Sequence, residues 1–307
     1  MVAWLGWMWL ACAGSPASVA TALETPAVQW VEHRYGAGPE HRVDWITREG
    51  AGPRPVVLFV HGGSWVGGDK DHLRQASQLT EWFLDRGYGV AAPEFRHASP
   101  PPNPSVGLEA MMADVAASVG WLHENQERLG LTTEGMVLVG FSSGAHLVSL
   151  LSSDPSWLAA EGLSPDAIDA VVCLDVHAYD VPLAMERMRG SSIEKNLRLI
   201  RHLFGDEARQ RRLSPSTYVT DARIPPTLLV SAGASDRPEQ PGALARETSA
   251  QHRDRLVAKG HTATHLHLDE ASHVSLVMGF GHPGHRPTEA VEALLASARR
   301  TEPPTEP

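Results

Sequence analysis

The pentapeptide Gly140-Phe141-Ser142-Ser143-Gly144 constrains this chain more than any other feature. The apolar run Met136-Val137-Leu138-Val139 before it reads as a buried strand, and Gly144-Ala145-His146-Leu147-Val148-Ser149-Leu150-Leu151 after it reads as a helix. A Gly-x-Ser-x-Gly between strand and helix puts its serine on a sharp, strained turn with the hydroxyl exposed. Side chains at 140 and 144 would crowd the neighbouring strand and helix, which explains the two glycines. A turn serine capping a helix is a fair account of Ser143 but a poor one of Ser142. An ordinary serine hydroxyl attacks only when an imidazole takes its proton. Ser142 therefore sends the search to a histidine and a carboxylate.

Both are found downstream, in order. Pro226-Thr227-Leu228-Leu229-Val230-Ser231-Ala232-Gly233 reads as a strand that ends near Asp236, and His265-Leu266-His267-Leu268 is followed by Ala271-Ser272-His273. The order Ser142, Asp236, His273, each just past a strand, is that of a nucleophile, an orienting acid and a base. Glu239, Asp269 and Glu270 are rivals of Asp236 for the acid role. Upstream, Val56-Val57-Leu58-Phe59-Val60 runs into His61-Gly62-Gly63-Ser64-Trp65, a strand ending in a glycine-rich turn. The backbone N–H groups of Gly63 and Ser64, with that of Ser143, are expected to bind a developing oxyanion. His61 is expected to brace that loop by hydrogen bonding and not to carry a proton.

The chain has 16 histidines, so position must choose among them. His261, His265 and His267 suggest a metal site, but no cysteine or clustered carboxylate completes a set. His282 and His285 fall in a Gly/Pro-rich loop and read as surface residues. No metal and no cofactor is expected. Cys173 lies inside Ala170-Val171-Val172-Cys173-Leu174 and reads as a buried, inert thiol. Cys12 is the only other cysteine.

A formal net charge of −10, with no Lys/Arg-rich run, argues against nucleic acid and anionic membrane surfaces as partners. The N-terminus has its own character. Met1 to Gly14 is apolar and holds Trp4, Trp7 and Trp9. It is too short to span a bilayer and is expected to be a signal-peptide core over residues 1–20, with Ser18-Val19-Ala20 as the cleavage site. No basic residue precedes it. Leu10-Ala11-Cys12 resembles a lipobox with Trp9 in the aliphatic position, and ranks below cleavage. A secreted or periplasmic location is therefore expected. The polar tail, 301–307, reads as disordered.

With 42% hydrophobic residues, 307 residues can bury one large core. After an alternating hairpin at 28–35 and 41–46, strands at 56–60, 88–93, 136–141, 170–176, 226–232 and 264–269 interleave with helices near 70–86, 106–129 and 143–152. Such alternation predicts a three-layer α/β fold with a mostly parallel sheet covered on both faces, one catalytic domain over 21–300. Pro100-Pro101-Pro102-Asn103-Pro104 predicts a stiff loop. Residues 177–223 read as an insertion between strands, with a helix near Glu194 to Phe204, suited to a lid.

The set His61-Gly62-Gly63-Ser64-Trp65, Gly140-Phe141-Ser142-Ser143-Gly144-Ala145-His146, Ser214-Pro215-Ser216 and His273 resembles the serine carboxylesterase branch of the α/β-hydrolases. Within it the chain is similar to the bifunctional feruloyl and acetyl-xylan esterases and the kynurenine formamidases, over roughly residues 40 to 298. Ser64 stands where the hormone-sensitive-lipase pattern has a third glycine. The resemblance implies a Ser-Asp-His triad and cofactor-free hydrolysis of a small ester through an acyl-enzyme. Two alternatives remain at this point: N-formyl-kynurenine as substrate on the same triad, and a non-catalytic binding protein on the same fold.

Overall fold

The computed structural model describes residues 26–298 except 51, 100–104, 235, 236, 238 and 239. The expected leader at 1–20, the proline loop at 100–104 and the tail at 301–307 lie outside the described residues.

The hairpin of β1 (Val28–Arg34) and β2 (Arg42–Arg48) is antiparallel, with Trp30 opposite Ile46. Strands and helices then alternate: β3 (Arg54–Val60), α1 (His72–Gln75), α2 (Ser77–Asp85), β4 (Gly89–Pro93), α3 (Leu108–Glu124), α4 (Gln126–Leu129) and β5 (Leu131–Phe141). Next come α5 (Ser143–Ser153), α6 (Pro155–Ala160), β6 (Ala170–Leu174), α7 (Val181–Met188), α8 (Leu197–Phe204) and α9 (Glu207–Arg212). The remainder is β7 (Thr227–Ala232), α10 (Pro241–Ala258), β8 (Ala263–Leu268), α11 (Ser275–Met278) and α12 (Arg286–Ala298). The eight strands form one sheet in the order β1-β2-β4-β3-β5-β6-β7-β8, parallel from β4 to β8.

Because β3 to β7 are covered on both faces, their sequences are continuously apolar rather than alternating. Along β3, Val56, Leu58 and Val60 join one core with Val115, Val119 and Leu147, while Val57 and Phe59 join the other with Phe83, Val291 and Leu295. These two cores lie one on each face of the sheet, between it and the covering helices, and the expected three-layer architecture is the observed one.

Several boundaries differ from the sequence expectation. The helix near 70–86 is broken at Ala76, and that near 106–129 divides at Asn125, whose amide donates to the Trp121 carbonyl. β5 begins at Leu131 rather than 136. Its pairing with β3 shifts between Pro55 and Val57, opposite a segment where Gly135 adopts φ +83°, so the early residues are joined to the rest by a bulge. α10 and α12 were not anticipated. The buried face of α10 consists of Gly242, Leu244, Ala245, Thr248, Ser249, His252 and Leu256, too small and too polar to stand out as an apolar stripe.

Residues 177–223 lie between β6 and β7, and the helical part of this segment includes α8, where a helix is expected. Ser214 ties its two ends together. Its hydroxyl donates to the Gln210 carbonyl at 2.7 Å and accepts from the Val181 amide at 2.9 Å.

Candidate active site

The parallel strands end on one edge of the sheet, and the loops there surround a cavity of about 570 Å³. Ser64 and Trp65 reach it from the loop after β3, Ser142 and Ser143 from the turn after β5, Asp175 and His177 from the turn after β6, and His273 from the segment after β8. The insertion contributes Ile193, Asn196, Leu199 and Ile200.

Ser142 occupies φ 55° and ψ −123° between β5 and α5. That region is costly for a residue with a Cβ, by about 1–3 kcal/mol, and persists only where surroundings over-determine it. Here they do. The Ser142 amide donates to the Leu174 carbonyl at 2.8 Å, and the Ser142 carbonyl accepts from Ala145 at 2.9 Å. A Cβ at Gly144 would collide with the carbonyls of Val60 and His61, and one at Gly140 with the backbone of Gly144 and Ala145. A Cβ at Gly62 would stand 2.8 Å from that of Ser142. Both glycines of the pentapeptide thus permit close approach rather than an unusual dihedral.

Four non-glycine residues have positive φ among the described residues: Ser64, Trp65, Ser142 and Asp175. All four line this cavity. Ser143, as the first residue of α5, has an N–H with no acceptor inside its own helix. Ser64 also reaches the cavity; Gly63, with φ +142°, is packed so closely on Gly67 that only glycine fits there.

His273 Nδ1–H donates to the Asp175 carboxylate at 2.7 Å, and the His273 ring lies 4.6 Å from that of Phe141. Since a carboxylate only accepts, the proton resides on Nδ1 and leaves Nε2 with a lone pair. The other Asp175 oxygen accepts from the Ala232 amide at 3.1 Å. This differs from the expectation of Asp236 in that place. Asp236 and its rival Glu239 lie outside the described residues, and the single Nδ1 position of His273 is taken by Asp175. Another rival, Asp269, faces His267 Nε2 at 3.4 Å instead. Sequence reading passed over Asp175 because it directly follows the apolar run of β6 and was absorbed into a strand at 170–176. The strand stops at Leu174, and Asp175 turns out of it with φ 57°.

Two further histidines support the site, one buried and one at the cavity wall. His146, fully buried on α5, accepts from the Trp65 indole N–H at Nδ1, 3.2 Å away, and donates from Nε2 to the Leu213 carbonyl at 2.7 Å. It joins the loop after β3 to the end of the insertion. Burial pulls its pKa down to about 4, so it stays neutral. His177 is also pulled down to about 4, chiefly by burial, with Asp175 opposing and His273 adding to the effect. His265 and His267 share the Ser231 hydroxyl, and His261 bonds the Thr220 carbonyl, so these three do not converge. Cys173 is buried, as expected.

The BD-FAE family model matches residues 45–238, which is more than half of the chain. The chain belongs to the BD-FAE family. It is 28% identical over 116 residues to a probable isoprenylcysteine alpha-carbonyl methylesterase of Arabidopsis thaliana, covering 38% of this chain and 23% of that protein. Against a kynurenine formamidase of Drosophila melanogaster it is 26% identical over 132 residues, covering 43% of this chain and 41% of the relative. The chain thus spans less than half the length of either relative. In three dimensions it resembles esterase B from Lactobacillus rhamnosis, with a TM-score of 0.71 at 21% identity, covering 89% and 87% of the two chains. That likeness shows a shared α/β-hydrolase fold. Among the described residues no helix is long and apolar enough to cross a membrane.

Proposed function

We propose that this BD-FAE family member hydrolyses small carboxylic esters by serine catalysis. The observation that carries the reading is the convergence on one cavity of a strained serine, a histidine paired to a carboxylate, and a strained glycine-rich turn. In the proposed reaction, Ser142 Oγ attacks the ester carbonyl carbon while its proton passes to His273 Nε2. Asp175 holds the Nδ1–H tautomer and stabilises the imidazolium. The N–H groups of Gly63, Ser64 and Ser143 receive the carbonyl oxygen as its charge develops. His273 returns the proton to the departing alkoxide, leaving an acyl-serine. Water, deprotonated by His273, attacks the acyl carbon and releases the acid with Ser142 restored.

The cavity supports a short acyl group. Ile193, Leu199 and Ile200 make an apolar wall, while His177 Nε2 and Gln240 Oε1 are buried polar atoms without a hydrogen-bond partner in residues lining the same space. A methylesterase among the relatives supports a small alcohol group on the ester and says nothing of acyl length. A second reading, hydrolysis of N-formyl-kynurenine, rests on the formamidase relative. The test is initial rates on p-nitrophenyl esters of rising chain length, with acetylated xylan and N-formyl-kynurenine alongside, for wild type and Ser142→Ala. Turnover of short esters by wild type only supports the proposal. Turnover of none overturns it in favour of a binding role, and equal turnover in both proteins overturns catalysis by Ser142. Faster turnover of N-formyl-kynurenine than of any ester would move the substrate to the second reading. Export belongs to the same proposal, on the strength of the apolar N-terminus. Mature protein from the native host should begin near Thr21, and a retained Met1 would contradict it.

A further inference from the structure

Behind the loop that carries Gly63 and Ser64, a second group of side chains converges that the proposed hydrolysis does not use. β3 and β4 are parallel neighbours, so their ends bring His61 together with Glu94 and His97, which lie more than 30 positions further along the chain. One ligand atom from each lies within 4.8 Å of the other two. His61 is 1% exposed and Glu94 7%. His61 Nε2 stands 3.4 Å from Glu94 Oε1, and His97 Nε2 stands 3.6 Å from the same oxygen.

With a neutral His61 ring, this group is one donor short, a place that a cation can take. His61 Nδ1 is 2.8 Å from the Gly62 carbonyl, which can only accept, so Nδ1 carries the proton and Nε2 presents a bare lone pair. That lone pair faces a carboxylate oxygen, another acceptor. Neither His61 Nε2 nor His97 Nε2 has a hydrogen-bond partner, although both atoms are shut off from solvent. Glu94 is otherwise held in place: Oε2 accepts from the Lys70 amide at 3.1 Å and Oε1 from the Phe95 amide at 3.3 Å. Lys70 does not neutralise the group, because its ammonium is bound to Asp44 and Glu32.

We propose that His61 Nε2, His97 Nε2 and Glu94 Oε1 bind a divalent transition-metal ion of the zinc type, which clamps the oxyanion loop to the end of β4. Zinc takes nitrogen and carboxylate oxygen at about 2.0–2.1 Å in a tetrahedron, which sets neighbouring ligand atoms about 3.3–3.4 Å apart. The two histidine-to-Glu94 separations lie at or just beyond that edge, and all three ligand atoms lie within 4.8 Å of one another. The Nδ1–H bond to a backbone carbonyl is the usual way a protein fixes the tautomer of a metal-binding histidine. The ion's role is structural, since none of the three ligands lines the cavity around Ser142.

The test is zinc binding by chelator-stripped protein, titrated with zinc chloride against a chromophoric competitor, with cobalt chloride as a spectroscopic probe. Wild type should bind one equivalent, give the intense visible bands of tetrahedral cobalt, and melt at a higher temperature with zinc than without. His97→Ala and Glu94→Gln should bind at least tenfold more weakly and lose the zinc-dependent rise in melting temperature. A His265→Gln variant, altered at a distant histidine pair, should bind as wild type does. Absence of binding by wild type, or binding by His97→Ala equal to wild type, overturns the site. His97 is partly exposed, so its variant decides the matter even where Glu94→Gln fails to fold. Covalent labelling of Ser142 in the same samples reports on the hydrolase reading separately.

Discussion

Ser142 and Gly62 approach so closely that a methyl group on residue 62 would press on the proposed nucleophile's Cβ. Chemistry at this scale therefore depends on individual atoms. Ser142→Ala should fold normally and lose on the order of 10⁶ in kcat, retaining only what binding and the oxyanion donors supply. Asp175→Asn should lower turnover by about 10⁴, because an amide cannot hold the Nδ1–H tautomer of His273. Asp236→Asn should be mild by comparison. Steady-state rates of the two variants decide between the carboxylates, and a large loss confined to Asp236→Asn would return the acid role to the position expected from chain order. Four of the expected residues, Ser64, Ser142, Ser143 and His273, do meet in one cavity. They were legible because glycine spacing and strand ends are local signals. Asp175 was not, because nothing in its neighbourhood distinguishes a strand's last residue from the first residue beyond it; only the pairing with a residue 98 positions away does.

At the level of elements, the insertion shapes what the cavity can accept. α8 buries Leu197, Ile200, Leu203 and Phe204, while Leu199 and Ile200 face the cavity. Leu199→Trp should fill part of that space. Its kcat/KM on hexanoate esters should fall at least tenfold more than on acetate esters, a size effect typical of a few methylenes in an apolar pocket. Equal losses on both esters would mean that α8 does not set acyl length. The presence of α8 could be read from the sequence. The break between α1 and α2, the bulge in β5 and the helix α10 could not. Each depends on tertiary pairing: the bulge on register with β3, and α10 on a buried face of small and polar residues. His252 on that face is satisfied by the Ser216 hydroxyl at 2.8 Å, a bond between residues 36 positions apart.

Across the whole molecule, the alternation of strands and helices carried the fold, and the histidines carry its response to acid. Burial pulls His146 to about 4 and His252 to about 3, and pulls His177 and His265 to about 4. In the unfolded chain these groups protonate near 6.5, so below that pH the unfolded state binds more protons and stability falls. His146 and His252, both fully buried, should each cost about 1.4 kcal/mol per pH unit between roughly pH 6 and their folded values. Thermal unfolding from pH 7.5 to 4.5 should show the midpoint dropping with increasing steepness, whereas a flat profile would contradict neutral burial of these rings. The central claim, that this fold presents Ser142 as an activated nucleophile, is tested most directly by a fluorophosphonate probe read by intact mass and peptide mapping. Native protein should gain one probe per chain on the peptide containing Ser142, and neither Ser142→Ala nor heat-denatured protein should react. A native chain that stays unmodified, or is modified at another residue while Ser142 remains free, would contradict the account.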